Sequence, residues 1–151
     1  AEEAFLRHLK TVFVGRMTGI TIKIGNAHGK GAGNVIDHTR KQANTYAYDR
    51  VAALFDTDTD WTPEVEKQAR AAKIIVLPST PCLETELLRL KGKSAPERTS
   101  DAKRSFQKAF GADAHSADLY PNHFPQTLLE KHLAAQPQSL LALIVALMRT
   151  T

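Results

Sequence analysis

Hydrophobic and polar positions recur along this chain with two different periods. In residues 2–13 the apolar side chains repeat at the spacing of one helix face. In residues 20–24 β-branched and polar residues alternate, which predicts a strand with one buried face. Two continuous apolar runs, residues 50–55 and 73–77, are typical of strands that are buried on both faces of a parallel sheet.

Helices are predicted between and after these strands from apolar spacing and from start and stop signals. Thr62 can cap a helix whose first position is Pro63, and Gly111 can end another. The predicted helices span residues 34–47, 62–72, 82–90, 100–110, 126–134 and 139–149. This order predicts an α/β fold with a small, mostly parallel sheet flanked by helices.

The predicted sheet has three strands, and a strand ahead of Ala1 would be a fourth. We expect residues 1–91 to form an α/β core. We expect residues 92–151 to form a helical extension that packs on the same domain.

Composition narrows the class of protein. The chain has 151 residues, of which 42% are hydrophobic and 24% charged, as in a soluble globular domain. Its one cysteine, Cys82, has no partner for an internal disulfide, which favours a cytoplasmic location. The longest apolar run, residues 140–148, is too short to span a bilayer and predicts a buried helix or a contact between copies in a homo-oligomer. The net charge of +4 favours a polyanionic partner such as nucleic acid.

Acidic residues stand where the first apolar run ends. Asp56, Asp58 and Asp60 follow that run at alternate positions. Open α/β sheets bind ligands at the carboxyl ends of their strands, and closely spaced carboxylates repel each other unless a cation lies between them. These residues therefore predict a Mg²⁺ or Mn²⁺ site, since such ions bind through few carboxylates, water and substrate phosphates. The alternative is that the aspartates cap turns and the next helix.

A glycine-rich segment, residues 25–33, predicts a loop. Its spacing is one residue short of a phosphate-binding P-loop and lacks the dinucleotide-binding pattern. Backbone N–H groups in this loop, with His28 and Lys30, could still bind a substrate phosphate. The alternative is an ordinary mobile loop.

Two motifs carry a family resemblance. Residues 56–58 (DTD) follow the first apolar run, and residues 79–88 (STPCLETELL) follow the second. Together they resemble the RloB-like group of Toprim-fold proteins, in which Ser-x-Pro-Cys-Phe-Glu precedes a Leu-rich helix. The resemblance covers about residues 1–91. This chain keeps Ser79, Pro81, Cys82 and Glu84, and it has Leu83 in place of the aromatic residue.

The resemblance implies a Toprim-like fold and Mg²⁺-dependent phosphodiester chemistry on DNA or RNA, as in a nuclease of a bacterial defence system. It makes Glu2, with Glu3 as the alternative, a metal ligand or general acid–base, and Asp56 and Asp58 metal ligands. Glu84 would be a further ligand or would orient one, unless it only favours the first turn of its helix.

Two other functions compete with a nuclease. One is a non-catalytic nucleic-acid-binding or regulatory subunit on a Toprim-like scaffold. The other is a receiver-like or HAD-like phosphoryl-transfer protein, since these also place aspartates at a strand end. No tyrosine stands where a topoisomerase-like nucleophile is expected, which favours hydrolysis by an activated water.

Overall fold

A computed structural model describes residues 1–15 and 19–149. Within these ranges the chain forms eight helices and two strands, which makes it an α/β protein. In chain order they are α1 Glu2–Phe13, α2 Gly31–Thr45, β1 Ala52–Asp56, α3 Pro63–Ala71, β2 Ile75–Ser79, α4 Leu83–Leu90, α5 Thr99–Phe110, α6 Leu119–His123, α7 Gln126–Ala135 and α8 Leu140–Arg149. None of these helices is long and apolar enough to cross a membrane.

The sheet of the described residues consists of β1 and β2 alone, which lie parallel with α3 as their connection. Ala52 pairs with Ile75 at one end, and Asp56 pairs with Ser79 at the other. Thr62 begins α3 as expected, because its side chain accepts a hydrogen bond from the Val65 N–H.

The two faces of this sheet are covered by different helices, because side chains alternate along a strand. On the first face Leu54 and Leu77 join a large core with α1 and with α4 to α8. On the second face Ala53 and Phe55 join a smaller core with α2 and α3. The helices after residue 92 therefore share the first-face core with α1 and α4, and α8 contacts β2 directly.

The strand predicted over residues 20–24 is wrong. This segment is not in a β-strand, although its side chains alternate between partly buried and exposed. Ile22 packs against the first-face core, and its carbonyl accepts a hydrogen bond from Lys10 Nζ. The hydrogen bond from Lys10 and the core contact of Ile22 therefore hold the segment in place where a neighbouring strand was expected.

The two confirmed strands begin and end two residues or fewer later than predicted. Residues 73–74 follow α3 and remain bonded to it, since the Lys73 and Ile74 N–H groups donate to carbonyls of that helix. Pro78, predicted to close the second strand, lies within β2, where an edge position tolerates a residue without an N–H. This shift places Asp56 and Ser79 inside the paired strands.

Helix α8 is largely buried, as its apolar sequence predicts. Leu141, Ile144, Val145 and Met148 lie in the first-face core, whereas Leu143 is 50% exposed. The homo-oligomer contact predicted from this segment stays a prediction.

Candidate metal centre

Asp56 stands at the junction of β1 and α4. It is the last residue of β1, and its Oδ1 accepts a hydrogen bond of 2.9 Å from the N–H of Leu83 in the first turn of α4. That N–H has no partner within its own helix, so a carboxylate here satisfies it and interacts well with the helix dipole. Asp56 therefore caps a helix, but this helix is α4 and not the next helix along the chain.

Two further carboxylates approach Asp56 from the helices on the first face. Glu2 lies in the first turn of α1 and Glu84 in the first turn of α4. Burial, followed by the repulsion of Glu2 and Glu84, raises the pKa of Asp56 to about 7, although the Leu83 N–H opposes this shift. We call Glu2, Asp56 and Glu84 the carboxylate cluster.

The cluster lacks a basic side chain. Among the described residues no lysine, arginine or histidine forms an ion pair with any of its three carboxylates. The Ala1 amino group lies 3.6 Å from Glu2 Oε2. Glu84 is only 6% exposed.

Glu2 and its neighbour Glu3 interact with different groups. Glu3 accepts hydrogen bonds from Arg7 at 2.9 and 3.1 Å and from Asn26 at 2.9 Å, and these bonds lower its pKa. Glu3 is therefore engaged on the side of α1 that bears Arg7, whereas Glu2 acts on Asp56.

A buried hydroxyl lies beside Asp56 on the same face of the sheet. Ser79 pairs with Asp56 across the two strands, and paired residues of a parallel ladder point to the same side. Ser79 is fully buried, and its Oγ has no hydrogen-bond partner within the described part of the chain. A buried polar atom without a partner is rare in proteins and indicates a place for a further group, such as a water molecule or an ion.

Asp58 is held at the mouth of the cluster by a different helix. Its Oδ2 accepts a 2.7 Å hydrogen bond from the Thr99 hydroxyl at the start of α5. Its N–H and that of Thr57 bond to the Pro81 carbonyl, which fastens the loop after β1 to the loop after β2. Asp58 also raises the pKa of Asp56, although less than Glu2 or Glu84 does.

The structure does not bring Asp60 to the cluster. Asp60 Oδ2 accepts a hydrogen bond of 3.2 Å from the Gly33 N–H, and the neighbouring Thr59 carbonyl accepts one from the Ala32 N–H. Asp60 therefore caps α2 from a distant part of the sequence. These contacts explain why α2 begins at Gly31, three residues earlier than predicted. Asp60 thus has a capping role, but at the preceding helix α2 and not at the next helix α3, which Thr62 caps.

His28 and Lys30, predicted to bind a substrate phosphate, are exposed in the turn before α2. Asn34 holds this turn by donating to the Ala27 and Gly29 carbonyls. In the glycine-rich segment, residues 25–30 therefore form a loop that Asn34 holds, and residues 31–33 form the first turn of α2. Within the described residues, no hydrogen bond or ion pair joins His28 or Lys30 to the carboxylate cluster.

Tyr120 lies beside the cluster without being available as a nucleophile. Burial and the nearby Glu84 and Glu2 raise its pKa above the ordinary tyrosine value. Its hydroxyl is buried and donates a 2.6 Å hydrogen bond to the Ala114 carbonyl. This contact gives Tyr120 a structural role.

The donor chemistry of the cluster fits a hard divalent cation, since the groups are carboxylate and hydroxyl oxygens. However, no three His, Cys, Asp or Glu side chains among residues 1–15 and 19–149 are already arranged to hold a metal ion. Mg²⁺ commonly uses one or two carboxylates and keeps several waters. The residues present therefore fit an open site of that kind and do not fit a closed cage of protein ligands.

Sequence reasoning placed Glu2, Asp56 and Glu84 in one site but missed two participants. Ser79 was noted only as part of the family motif, although its position opposite Asp56 follows from pairing the two apolar runs. Thr99 carries no sequence signal, because it reaches Asp58 from 41 positions along the chain.

No protein-family model, curated protein or solved structure matches this chain.

Proposed function

We propose that this protein is a Mg²⁺- or Mn²⁺-dependent enzyme that hydrolyses phosphodiester bonds in DNA or RNA, on a Toprim-like scaffold of the RloB-like type. The observation that carries the proposal is the gathering of Glu2, Asp56 and Glu84 at the carboxyl ends of two parallel strands without a lysine, arginine or histidine partner among the described residues. Carboxylates left in this state are stabilised by a divalent cation.

In this proposal Asp56 is the central ligand. Its Oδ1 is fixed by the Leu83 N–H, so Oδ2 is the atom left to bind a cation. Glu2 approaches from α1 and Glu84 from α4. The buried Ser79 hydroxyl can orient a water molecule beside them. When bound, the cation would neutralise phosphate charge and lower the pKa of a bound water.

Asp58 has a more exposed position, where a substrate phosphate or a second ion would enter. Its hydrogen bond from Thr99 fixes the carboxylate at this entrance. Asp60 has no place in the proposed chemistry, because its side chain is committed to α2.

The chain offers a matched pair of variants to test this proposal. Plasmid, single-stranded DNA and RNA would each be incubated with Mg²⁺, Mn²⁺ or EDTA. We expect metal-dependent cleavage by the wild-type protein. We expect Asp56→Asn to reduce cleavage by about 100-fold or more, as for loss of one group that stabilises transition-state charge.

Asp60→Asn is the control, because an asparagine can still accept the Gly33 N–H bond, and it should retain cleavage. Asp58→Asn should fall between the two. Equal cleavage by wild type and Asp56→Asn would contradict the assigned site. A well-folded wild type without cleavage in any metal would contradict hydrolysis.

One observation favours the alternative, a nucleic-acid-binding or regulatory subunit without catalysis. The described residues contain no preassembled set of three metal-binding side chains. Binding of nucleic acid that is equal in Mg²⁺ and in EDTA, without cleavage, would identify this second function.

A further inference from the structure

Positive charge is concentrated in one part of the sequence. Residues 89–108 contain seven lysines and arginines and two acidic residues, whereas the rest of the chain contains thirteen basic and fourteen acidic residues. The whole net charge of +4 therefore originates in this segment, which runs from the end of α4 through α5.

Several basic side chains of α1, α2 and α3 form ion pairs with acidic side chains of the same helix. Arg7 pairs with Glu3 in α1, and Arg70 pairs with Glu66 in α3, each one turn apart. In α2 Asp37 pairs with both Arg40 and Lys41. These helices present little uncompensated charge to a partner.

The exposed bases of α5 and the segment before it differ from this pattern. Lys93, Arg98, Lys103 and Lys108 have no ion-pair partner among the described residues, and Arg104 has only Asp101 at 3.7 Å. Arg104 and Lys108 also lie one turn apart, where like charges destabilise a helix. We call these five residues the basic strip.

From Arg98 onward, the basic strip begins beside Asp58 of the candidate metal centre. Arg98 precedes Thr99, whose hydroxyl donates to Asp58 Oδ2, and α5 then extends for twelve residues, or about 18 Å. A polyanion lying along α5 would therefore have one end at Asp58.

We propose that the basic strip binds the phosphate backbone of a nucleic acid and leads it to Asp58 and the carboxylate cluster. The inference rests on the proposed function for its substrate class and adds the surface through which that substrate arrives. An anionic membrane is disfavoured, because Ala102, Phe106 and Phe110 of α5 are buried and leave no large apolar side chain of this helix to insert into lipid.

The same burial determines how the nucleic acid is recognised. The aromatic rings of α5 lie in the core, so the strip offers charge without a surface on which bases can stack. Contacts of this kind hold phosphates and carry no direct sequence information. The bound nucleic acid is therefore selected without regard to base sequence.

The test measures binding of fluorescent single-stranded and duplex oligonucleotides of 20 nucleotides in EDTA over a series of KCl concentrations. The variant is K103E/R104E/K108E, and the control is K41E/K67E/K131E, which makes the same charge change on other helices. We expect the α5 variant to weaken binding by about 30-fold or more at low salt, and to reduce the salt slope by about 2. The control should weaken binding by about threefold or less, through net charge alone.

Equal weakening by the two variants, or no effect of the α5 variant, would overturn the proposal. Tighter binding of anionic vesicles or of a polyglutamate peptide than of nucleic acid, lost in the same variant, would also overturn it. If K103E/R104E/K108E does not fold by circular dichroism, K103Q/R104Q/K108Q replaces it with the same expected order of binding.

Because this assay contains EDTA, its outcome is separate from that of the cleavage assay. A protein that binds through α5 without cleaving any substrate keeps this inference and loses the proposed hydrolysis. A protein that cleaves with an unaffected α5 variant keeps the hydrolysis and loses this inference.

Discussion

Asp56 ends β1 and Asp60 lies in the loop that follows, yet their side chains make contacts on opposite faces of the sheet. On the second face Asp60 meets backbone N–H groups of α2 and is satisfied by them. On the first face Asp56 also meets an N–H group, from Leu83, but Glu2 and Glu84 crowd it. An aspartate at a helix N-terminus therefore becomes chemically unusual when it is buried and other acids lie near it.

The largest effect is expected from breaking the contact on the second face. A Cβ added at Gly33 would overlap Asp60 Oδ2, so Gly33→Ala must displace the side chain that caps α2. We expect the free energy of unfolding to fall by about 2 kcal/mol, as for other overpacked sites. Urea denaturation measures the change.

Asp60→Ala provides the matching background for Gly33→Ala. It removes the overlapping side chain, so the glycine substitution should then cost little or stabilise α2 through the better helix propensity of alanine. A full loss of about 2 kcal/mol in this background would show that the overlap with Asp60 is not the cause.

A smaller effect is expected from pH on the first face. The pKa of Asp56 is raised to about 7 in the folded protein, so folding favours the protonated carboxyl group. The contribution of Asp56 to stability is therefore greatest at acidic pH and is lost as pH rises from about 4 through about 7. Since Asp56 is partly exposed, we expect a loss of about 1.5 kcal/mol, which is less than the full shift represents.

The difference between two variants isolates this effect from other titrating groups. Asp56→Asn should remove most of the fall in unfolding free energy between pH 4 and pH 8, whereas Asp60→Asn should leave it in place. Parallel pH profiles for wild type and Asp56→Asn would contradict the repulsion at the carboxylate cluster.

Divalent cations should stabilise the protein against unfolding, and this gain should depend on Asp56. At pH 8, where Asp56 is ionised, 10 mM MgCl₂ should stabilise the wild-type protein by about 1 kcal/mol, the amount given by a ligand a few times above its Kd. The gain should be smaller at pH 5, since protons then compete with the cation. Thermal unfolding with MgCl₂ and with EDTA measures it, and an equal gain in Asp56→Asn would place the ion elsewhere.

The smallest effect is expected at the buried hydroxyl beside Asp56. In EDTA, where no cation is bound, Ser79→Ala removes a polar atom without a hydrogen-bond partner among the described residues, so it should raise the free energy of unfolding by about 0.5 kcal/mol. Thr85→Val is the control, because it removes a buried hydroxyl that contacts Cys82 Sγ at 3.4 Å, and it should lower stability slightly. Marked destabilisation by Ser79→Ala would reveal that this hydroxyl has a partner.

Sequence patterns predicted the two strands and most helices because local periodicity records which side of an element is buried. The pattern of residues 20–24 records burial equally well, yet it says nothing about whether a neighbouring strand exists. The structure supplies Lys10 and core contacts in place of that strand. Periodicity therefore predicts a buried face better than it predicts a hydrogen-bonded neighbour.

The candidate site followed partly from a topological rule and partly from the family resemblance. Carboxyl ends of parallel strands meet at one edge, which brings Asp56 near Glu84, whereas Glu2 was expected only from the resemblance. The rule could not separate Asp56 from Asp60, because the direction of each side chain depends on which helix N-terminus lies nearby. That helix, α2, begins where it does because of Asp60 itself.

The hydrogen bond from Thr99 to Asp58 has a thermodynamic consequence for the two surfaces that it joins. A ligand that takes Asp58 Oδ2 for itself must release the first residue of α5, and a ligand that moves the start of α5 must free Asp58. Occupancy at either surface then changes affinity at the other by the same factor, since such coupling is reciprocal. The Thr99 hydroxyl thus couples ligand binding at Asp58, beside the carboxylate cluster, to ligand binding at the basic strip.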